Sequence, residues 1–304
     1  MNQVATIIVT YNGAKWIEKC LQSLLNSTLK SQIILVDNNS TDQTVALLKP
    51  FLEKIIFIQS ESNLGFGAAN NIGIKKAMEL GVEYVFLLNQ DAYVRKDCVK
   101  MLFKTAKAFP EFGILSPVQL SSDGLEPDVT FKNQLSRTVK NFPTITFFEE
   151  AASDEIIKLL PARFVGAASW FIPINTIKTV GLFHPVFYHY GEDNNYAARV
   201  QYFGFEIGVL SNTAVIHDRE QRKDLNKFLP VKLRTFPLHL LLDIRKPLPI
   251  AWLTGFYQLT RIKNKLKKLD NSEYESAYQE ARSWFFNRMK EVKKLRAGFC
   301  ENLS

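Results

Sequence analysis

The 304-residue chain predicts an α/β fold: a doubly wound, mostly parallel sheet with helices on both faces, plus a C-terminal helical tail. Three observations predict it. Strand-like and helix-like segments alternate from the N-terminus. The strand-like runs IIVT, IILV and YVFLL are apolar throughout instead of alternating, as expected of parallel strands covered on both faces. The composition, 46% hydrophobic, suffices for one large core.

The first strand-like run spans 4–10 and ends in Thr10-Tyr11-Asn12-Gly13, which offers a turn, an aromatic face and backbone groups to a base. A helix over 14–26 follows. Its Trp16, Ile17, Cys20, Leu21, Leu24 and Leu25 recur at helical spacing and make one apolar face. The second strand, 32–37, ends in Asp37-Asn38-Asn39-Ser40-Thr41-Asp42. Asp37 can accept from a ribose hydroxyl or a base N–H, while Ser40, Thr41 and Asp42 suit the cap of a helix over 42–53, with capping the favoured role of Asp42.

The third strand, 55–59, leads into NLGFGAANNIGI. Its Gly65, Gly67 and Gly73 permit close backbone approach, and the start of the helix over 66–80 can offer N–H groups to phosphate. The order G-x-G-x-x-G is missing, and so is G-x-x-x-x-G-K-[ST], which argues against a dinucleotide fingerprint and a nucleotide-hydrolysing switch. The fourth strand, 84–89, closes on Asn89-Gln90-Asp91. Positions i and i+2 share one strand face, so Asn89 and Asp91 can reach one ion together. Mg²⁺ and Mn²⁺ favour oxygen ligands and accept sites made of one or two protein groups plus substrate phosphates. In an open α/β sheet the ligand sits at the carboxyl ends of the strands, where all these polar groups lie.

Past Asp91 the pattern is less regular. A helix over 96–108 precedes strand-like GILSPVQL; the polar stretch 121–157 carries no assignable element and suits a loop over the active site. A block from Phe164 to His217 holds FVGAASWFIP, a short helix near 175–180, a helix near 192–203 opening on Glu192-Asp193, and strands near 206–216 ending in TAVIH. The expected boundaries are 1–224 for the main domain, divided into a nucleotide-binding half (1–95) and an acceptor half (96–224). Residues 225–304 form a basic, amphipathic helical region.

Charge follows the same division. Residues 1–218 hold 19 Lys+Arg against 21 Asp+Glu, whereas 219–304 hold 19 against 9. An anionic membrane surface fits the 228–266 stretch of the tail, which interleaves Phe, Leu, Ile, Trp252 and Tyr257 with Lys and Arg, while the 273–297 stretch reads as an amphipathic helix that packs back on the domain; packing on the domain is equally open for the whole tail. Nucleic acid is not expected as a partner, because the main domain is not basic and no reading motif is present. Cys20, Cys98 and Cys300 lack metal-ligand spacing and suggest a reducing compartment. No signal segment and no uncharged apolar run of spanning length are expected; the chain reads as cytoplasmic, peripheral on the inner face of the cell membrane.

TIIVTYNG, VDNNSTD, NLGFGAANNIG, LLNQDA and YGEDNNYAARVQYFG stand in the order and spacing of the inverting family 2 glycosyltransferases. Over residues 4–218 the chain resembles that family, and most closely its bacterial rhamnosyltransferase-like branch. The resemblance implies a GT-A fold, a nucleotide-diphosphate sugar donor, a divalent cation, and a lipid-linked oligosaccharide or polysaccharide acceptor in cell-surface glycan synthesis. It puts Thr10, Tyr11 and Asp37 around the nucleobase and ribose, with Asn12 and Asn39 in the same turns. Asn63, Gly65 and Asn70 border the nucleotide and diphosphate. Asn89, Gln90 and Asp91 occupy the place of the family's Asp-x-Asp motif, with Asn at the first position, so one formal charge is missing. His217 stands where relatives place a histidine that contacts metal or diphosphate. Asp193 resembles the general base; Gly166, Ala167, Ala168 and Trp170 correspond to the donor–acceptor junction, where Glu192 would meet sugar and Trp170 either stacks on a sugar face or belongs to the core. The Asn at 89 also admits a second class, a non-catalytic nucleotide-sugar-binding or scaffold subunit.

Overall fold

The computed structural model describes residues 3–136, 158–219, 225–266 and 272–300. Its N-terminal half runs β1 (Val4–Thr10), α1 (Ile17–Leu25), β2 (Gln32–Asp37), α2 (Thr44–Leu47), a 3-10 segment (Lys49–Lys54), β3 (Ile55–Gln59), α3 (Phe66–Glu79) and β4 (Tyr84–Asn89). The helix expected over 42–53 is therefore broken. Pro50 sits at the start of the 3-10 segment, where it cannot donate the backbone hydrogen bond that would continue α2.

The second half runs β5 (Ala92–Val94), α4 (Cys98–Ala108), β6 (Phe112–Leu120), α5 (Val129–Ser136), β7 (Leu159–Ala162), β8 (Ser169–Pro173), α6 (Ile174–Val180), α7 (Glu192–Tyr202) and β9 (Glu206–His217). The stretch 121–157 is thus partly ordered into α5, and its remainder, 137–157, lies outside the described residues. The tail forms α8 (Leu225–Leu241), α9 (Leu248–Leu266), α10 (Ser272–Phe286) and α11 (Met289–Cys300). The single helix expected over 273–297 is two, parted near Asn287.

One sheet in the order β3-β2-β1-β4-β8-β6-β9-β5, with β7 added on β9, carries the domain. β3, β2, β1 and β4 are mutually parallel. β8 then runs antiparallel to both β4 and β6, and β6 is parallel to β9. Two reversals cancel, so the carboxyl end of β9 returns to the edge where β1, β2 and β4 end. Alternate residues feed two cores: Ile7, Ile34 and Leu87 face one, while Ile8, Leu35 and Leu88 face the other.

The tail has a third core. Leu241, Leu242, Leu259, Ala277, Ala281 and Phe285 bury one another, with Phe187 of the main domain among them. Asn195 of α7 donates to the Leu242 carbonyl, and Arg296 of α11 donates to the carbonyls of Leu241 and Asp243. The tail therefore packs on the domain and braces α7. None of the described helices is long and apolar enough to cross a membrane.

Candidate active site

Strand register assembles the site. Thr10 lies opposite Asp37 and Val9 opposite Asn89, so the polar ends of β1, β2 and β4 share one edge. Gln90 ties two of them: its Oε1 accepts from the Thr10 hydroxyl at 2.6 Å and the Tyr11 N–H at 3.0 Å, and its Nε2 donates to the Tyr11 carbonyl. A second set of bonds closes the turns. Asn12 and Asn39 both adopt left-handed backbone conformations, φ 48° and 68°, which asparagine tolerates better than most residues. The Asn12 amide oxygen accepts from the Thr41 N–H. Asp42 accepts from the Thr44 N–H and hydroxyl and from the Ala14 N–H, which holds its carboxyl below the usual range despite partial desolvation; the cap position of α2 itself is Gln43, so Asp42 bonds the first turn from one residue further out.

The loop after β3 is held by a residue that sequence reasoning left without a role. Asn38 donates to Asn63 Oδ1 at 2.9 Å and accepts from the Leu64 N–H, and Asn63 Oδ1 also accepts from the Gly65 N–H. Gly65 has φ 79°, and a Cβ there would meet the Tyr188 carbonyl oxygen at 1.9 Å. Asn70 is buried and donates to the Phe66 carbonyl one turn earlier.

These bonds engage three of the expected residues within the protein. Thr10 and Asn70 are buried, and Asn63 Oδ1 is occupied within the loop. The sugar contact expected of Trp170 is corrected. It is 0% exposed, stacked near-parallel to Phe183 with centroids 6.3 Å apart, and its indole N–H donates to the Val165 carbonyl. A ring enclosed in core offers no face to a sugar. Tyr11, by contrast, is exposed. Asp37 is buried; its Oδ2 accepts from the Ser40 N–H, while Oδ1 has no partner.

Asp91 meets His217 because β5 pairs antiparallel with the end of β9, Ala92 opposite His217. His217 Nε2 stands 3.4 Å from Asp91 Oδ1. Burial raises the Asp91 pKa, but the hydrogen bond and charge of His217, with the charge of Arg219, outweigh it and hold the carboxyl below its usual range. His217 is buried and its Nδ1 has no partner. Arg219 was missed in sequence reasoning; its only signal was a basic residue two positions past the histidine.

No group of three His, Cys, Asp or Glu side chains suited to a metal occurs among the described residues. The donor set of Asp91 and His217 nevertheless fits a hard divalent cation that completes its shell with phosphate and water.

Glu192 and Asp193 open α7 behind Gly191, whose φ is 91°. Helix dipole alone would lower both carboxyl pKa values. Burial wins instead: it raises Asp193 in spite of hydrogen bonds from Asn194 and the Ala167 N–H, and together with the charge of Asp193 it lifts Glu192 to about 8. Glu192 Oε2 is buried without a partner. The segment before β8 links this pair to β4, since Ala167 contacts Asp193 and the Ala168 carbonyl accepts from the Asn89 N–H at 2.9 Å. Gln119 and Gln134, also unforeseen, hold Gly166 through its carbonyl and N–H.

A parallel N-terminal half whose strand ends adjoin an Asp–His pair, with buried Glu192 and half-buried Asp193 opening α7, has the GT-A architecture. Residues 5–148, just under half of the chain, match the family described as Glycosyl transferase family 2. It is 24% identical over 222 residues to the low-salt glycan biosynthesis hexosyltransferase Agl10 of Haloferax volcanii, covering 72% of this chain and 68% of that one. It is 31% identical over 107 residues to glycosyltransferase GlyA of Streptococcus pneumoniae, covering 34% of this chain and only 15% of the relative. Among solved structures, S. aureus TarS 1–349 in complex with UDP-GlcNAc superposes with TM-score 0.58 at 17% identity, covering 99% and 89% of the two chains. The Pyrobaculum calidifontis mannosyltransferase PcManGT, in complex with GDP-Man and Mn²⁺, gives TM-score 0.60 at 15% identity, covering 99% and 86%.

Proposed function

We propose that this protein is an inverting glycosyltransferase that moves a sugar, rhamnose being the first candidate, from a nucleotide-diphosphate donor to a lipid-linked or polysaccharide acceptor of a cell-surface glycan. The observation that carries the reading is that Asp37 and Asp91–His217 share one sheet edge, to which the Glu192–Asp193 end of α7 is tied through Ala167 and Ala168. Relatives with glycan-building names, and a neighbour holding UDP-GlcNAc, support it.

Asp193 is the base. An acceptor hydroxyl is a poor nucleophile until its proton leaves, and a positioned carboxylate contributes about 10²- to 10⁴-fold. Burial raises the Asp193 pKa, which makes its ionised form a stronger base than an exposed aspartate. As the acceptor oxygen bonds to the anomeric carbon, its proton passes to Asp193 and the bond to the diphosphate breaks; a single displacement inverts that carbon. The Ala167 and Asn194 donors aim the carboxylate. Asp91 and His217 would hold Mg²⁺ or Mn²⁺, which supplies neutralisation of charge on the departing diphosphate. Asp37 Oδ1 accepts from the nucleoside, and because that atom is covered now, the side chains over it move when nucleotide enters. Tyr11, exposed beside it in sequence register, offers its ring to the base.

The test is product formation from dTDP-rhamnose, UDP- and GDP-sugars with and without Mn²⁺, comparing wild type with Asp193→Ala. Loss of about 10²-fold or more with donor binding retained is expected; near-normal turnover by the variant would sink the base assignment. Metal-dependent nucleotide binding with no transfer to any acceptor would instead favour the non-catalytic scaffold that Asn89 admits.

A further inference from the structure

The tail carries an outward apolar face where a surface helix ordinarily carries a polar one. In α9 the residues at one helical spacing, Ala251, Gly255 and Leu259, are buried, and a Cβ on Gly255 would meet the Phe285 ring at 2.1 Å, so this stripe is the seam with α10. The opposite stripe consists of Ile250, Leu253, Phe256 and Tyr257, exposed by 52%, 61%, 42% and 62%. Phe286 of α10, 49% exposed, extends it through an edge contact with Phe256. Phe256 is further stiffened by stacking on Trp252, whose indole N–H is anchored to the Phe285 carbonyl.

Cations rim this face. Arg261 lies over the Tyr257 ring and Arg282 over the Phe286 ring, and Lys263 is exposed two residues past Arg261. Between Asp243 and Asp270 the chain has seven Lys+Arg and no Asp or Glu. An apolar stripe with aromatic members, bordered by Arg261, Lys263 and Arg282, matches one partner in both respects: acyl chains beneath anionic headgroups. A second copy of the chain matches only the first, since two tails, each with 19 basic against 9 acidic residues over 219–304, repel when brought face to face.

We propose that the outer face of α9, with Phe286, docks the protein on an anionic lipid bilayer. The helix lies in the interface plane, Leu253 and Tyr257 entering the acyl boundary and Arg261, Lys263 and Arg282 meeting headgroups. This surface is separate from the transfer chemistry and stands or falls without it.

Co-sedimentation of the full chain with phosphatidylcholine vesicles, with and without about a third phosphatidylglycerol, reads the partition directly. Wild type should bind the anionic vesicles and lose much of that binding in about 1 M salt. The double substitution Leu253→Gln/Tyr257→Gln should weaken partition about tenfold or more. Arg261→Gln/Lys263→Gln should weaken it about fivefold per charge on anionic vesicles and leave neutral vesicles unaffected. Because these side chains are exposed, unfolding temperature and donor binding without lipid should match wild type, which separates a failed surface from a failed reading of the active site. Partition indifferent to lipid charge, an unweakened Leu253→Gln/Tyr257→Gln protein, or self-association through this face without vesicle binding would each overturn the proposal.

Discussion

The loops after β1, β2 and β3 and the centre around Asp91 and Asp193 are both dense in polar side chains, yet they treat those side chains oppositely. In the loops, Thr10, Gln90, Asn12, Asn38, Asn63 and Asp42 bond to one another or to nearby backbone. In the centre, Glu192 Oε2 and His217 Nδ1 are buried with no partner. A buried polar atom without a partner costs about 1–3 kcal/mol, so a fold retains few of them. The loops are therefore scaffold, spending their hydrogen bonds on shape, whereas the centre withholds bonding capacity that a substrate can use. Asp37 joins the two: Oδ2 holds the Ser40 N–H, and Oδ1 is unpartnered.

The largest effect that sharpens this contrast is on the pH dependence of stability. Glu192 has its pKa raised to about 8 in the fold, first by burial and then by Asp193. Between the unfolded value near 4.5 and about 8 the folded state binds the extra proton, so stability falls as pH rises through that window and levels off above it. Glu192→Gln stays neutral and removes this slope. Across pH 5 to 8 the variant should gain on wild type by on the order of a few kcal/mol, read as diverging unfolding temperatures. Parallel pH profiles would show that the pair is already satisfied and would erase the distinction between centre and scaffold.

How much of this was legible in the sequence differs between the same regions. β1 to β4 and α3 lie where apolar runs and glycines put them, because a parallel strand buried on both faces has a local signature. The β5 strand is three residues long and has none, yet it is what brings Asp91 to His217. Likewise, Trp170 and Thr10 carry side chains that suit either a ligand or a core, and only the surrounding elements decide between them. Asp193 was singled out through the family resemblance. The hydrogen bond from Ala167 that positions it comes from a segment 26 residues earlier, a contact that no spacing rule reports. The interleaved aromatics and cations of 228–266 suggested a surface-seeking stretch, but which residues of α9 face outward depends on α8 and α10 covering its other side.

A smaller effect probes the scaffold. Gln90→Ala removes the acceptor shared by the Thr10 hydroxyl and the Tyr11 N–H and leaves the buried Thr10 hydroxyl without that bond. Unfolding in denaturant should shift by about 1–3 kcal/mol, with donor affinity falling because the β1 turn loosens. If stability is unchanged while affinity collapses, Gln90 belongs with the ligand-directed groups.

The smallest expected change in stability is at Asp37, and it discriminates most finely because one side chain serves both purposes. Asp37→Asn keeps the size of the group and can keep an oxygen toward the Ser40 N–H, so the turn after β2 survives. What it loses is the unpartnered acceptor and its charge, with an amide N–H placed where a nucleoside N–H or hydroxyl would donate. Two donors facing each other are repulsive, and a hydrogen bond to a charged group is worth about 1.5–3 kcal/mol, so nucleotide affinity should fall about tenfold or more. Removing a buried, half-satisfied carboxylate should leave unfolding free energy unchanged or slightly higher. Calorimetric titration with UDP, dTDP and GDP alongside denaturant unfolding separates the outcomes. Weaker binding at unchanged stability assigns Asp37 to the ligand, whereas lost stability at unchanged affinity returns it to the scaffold with Asn38 and Gln90.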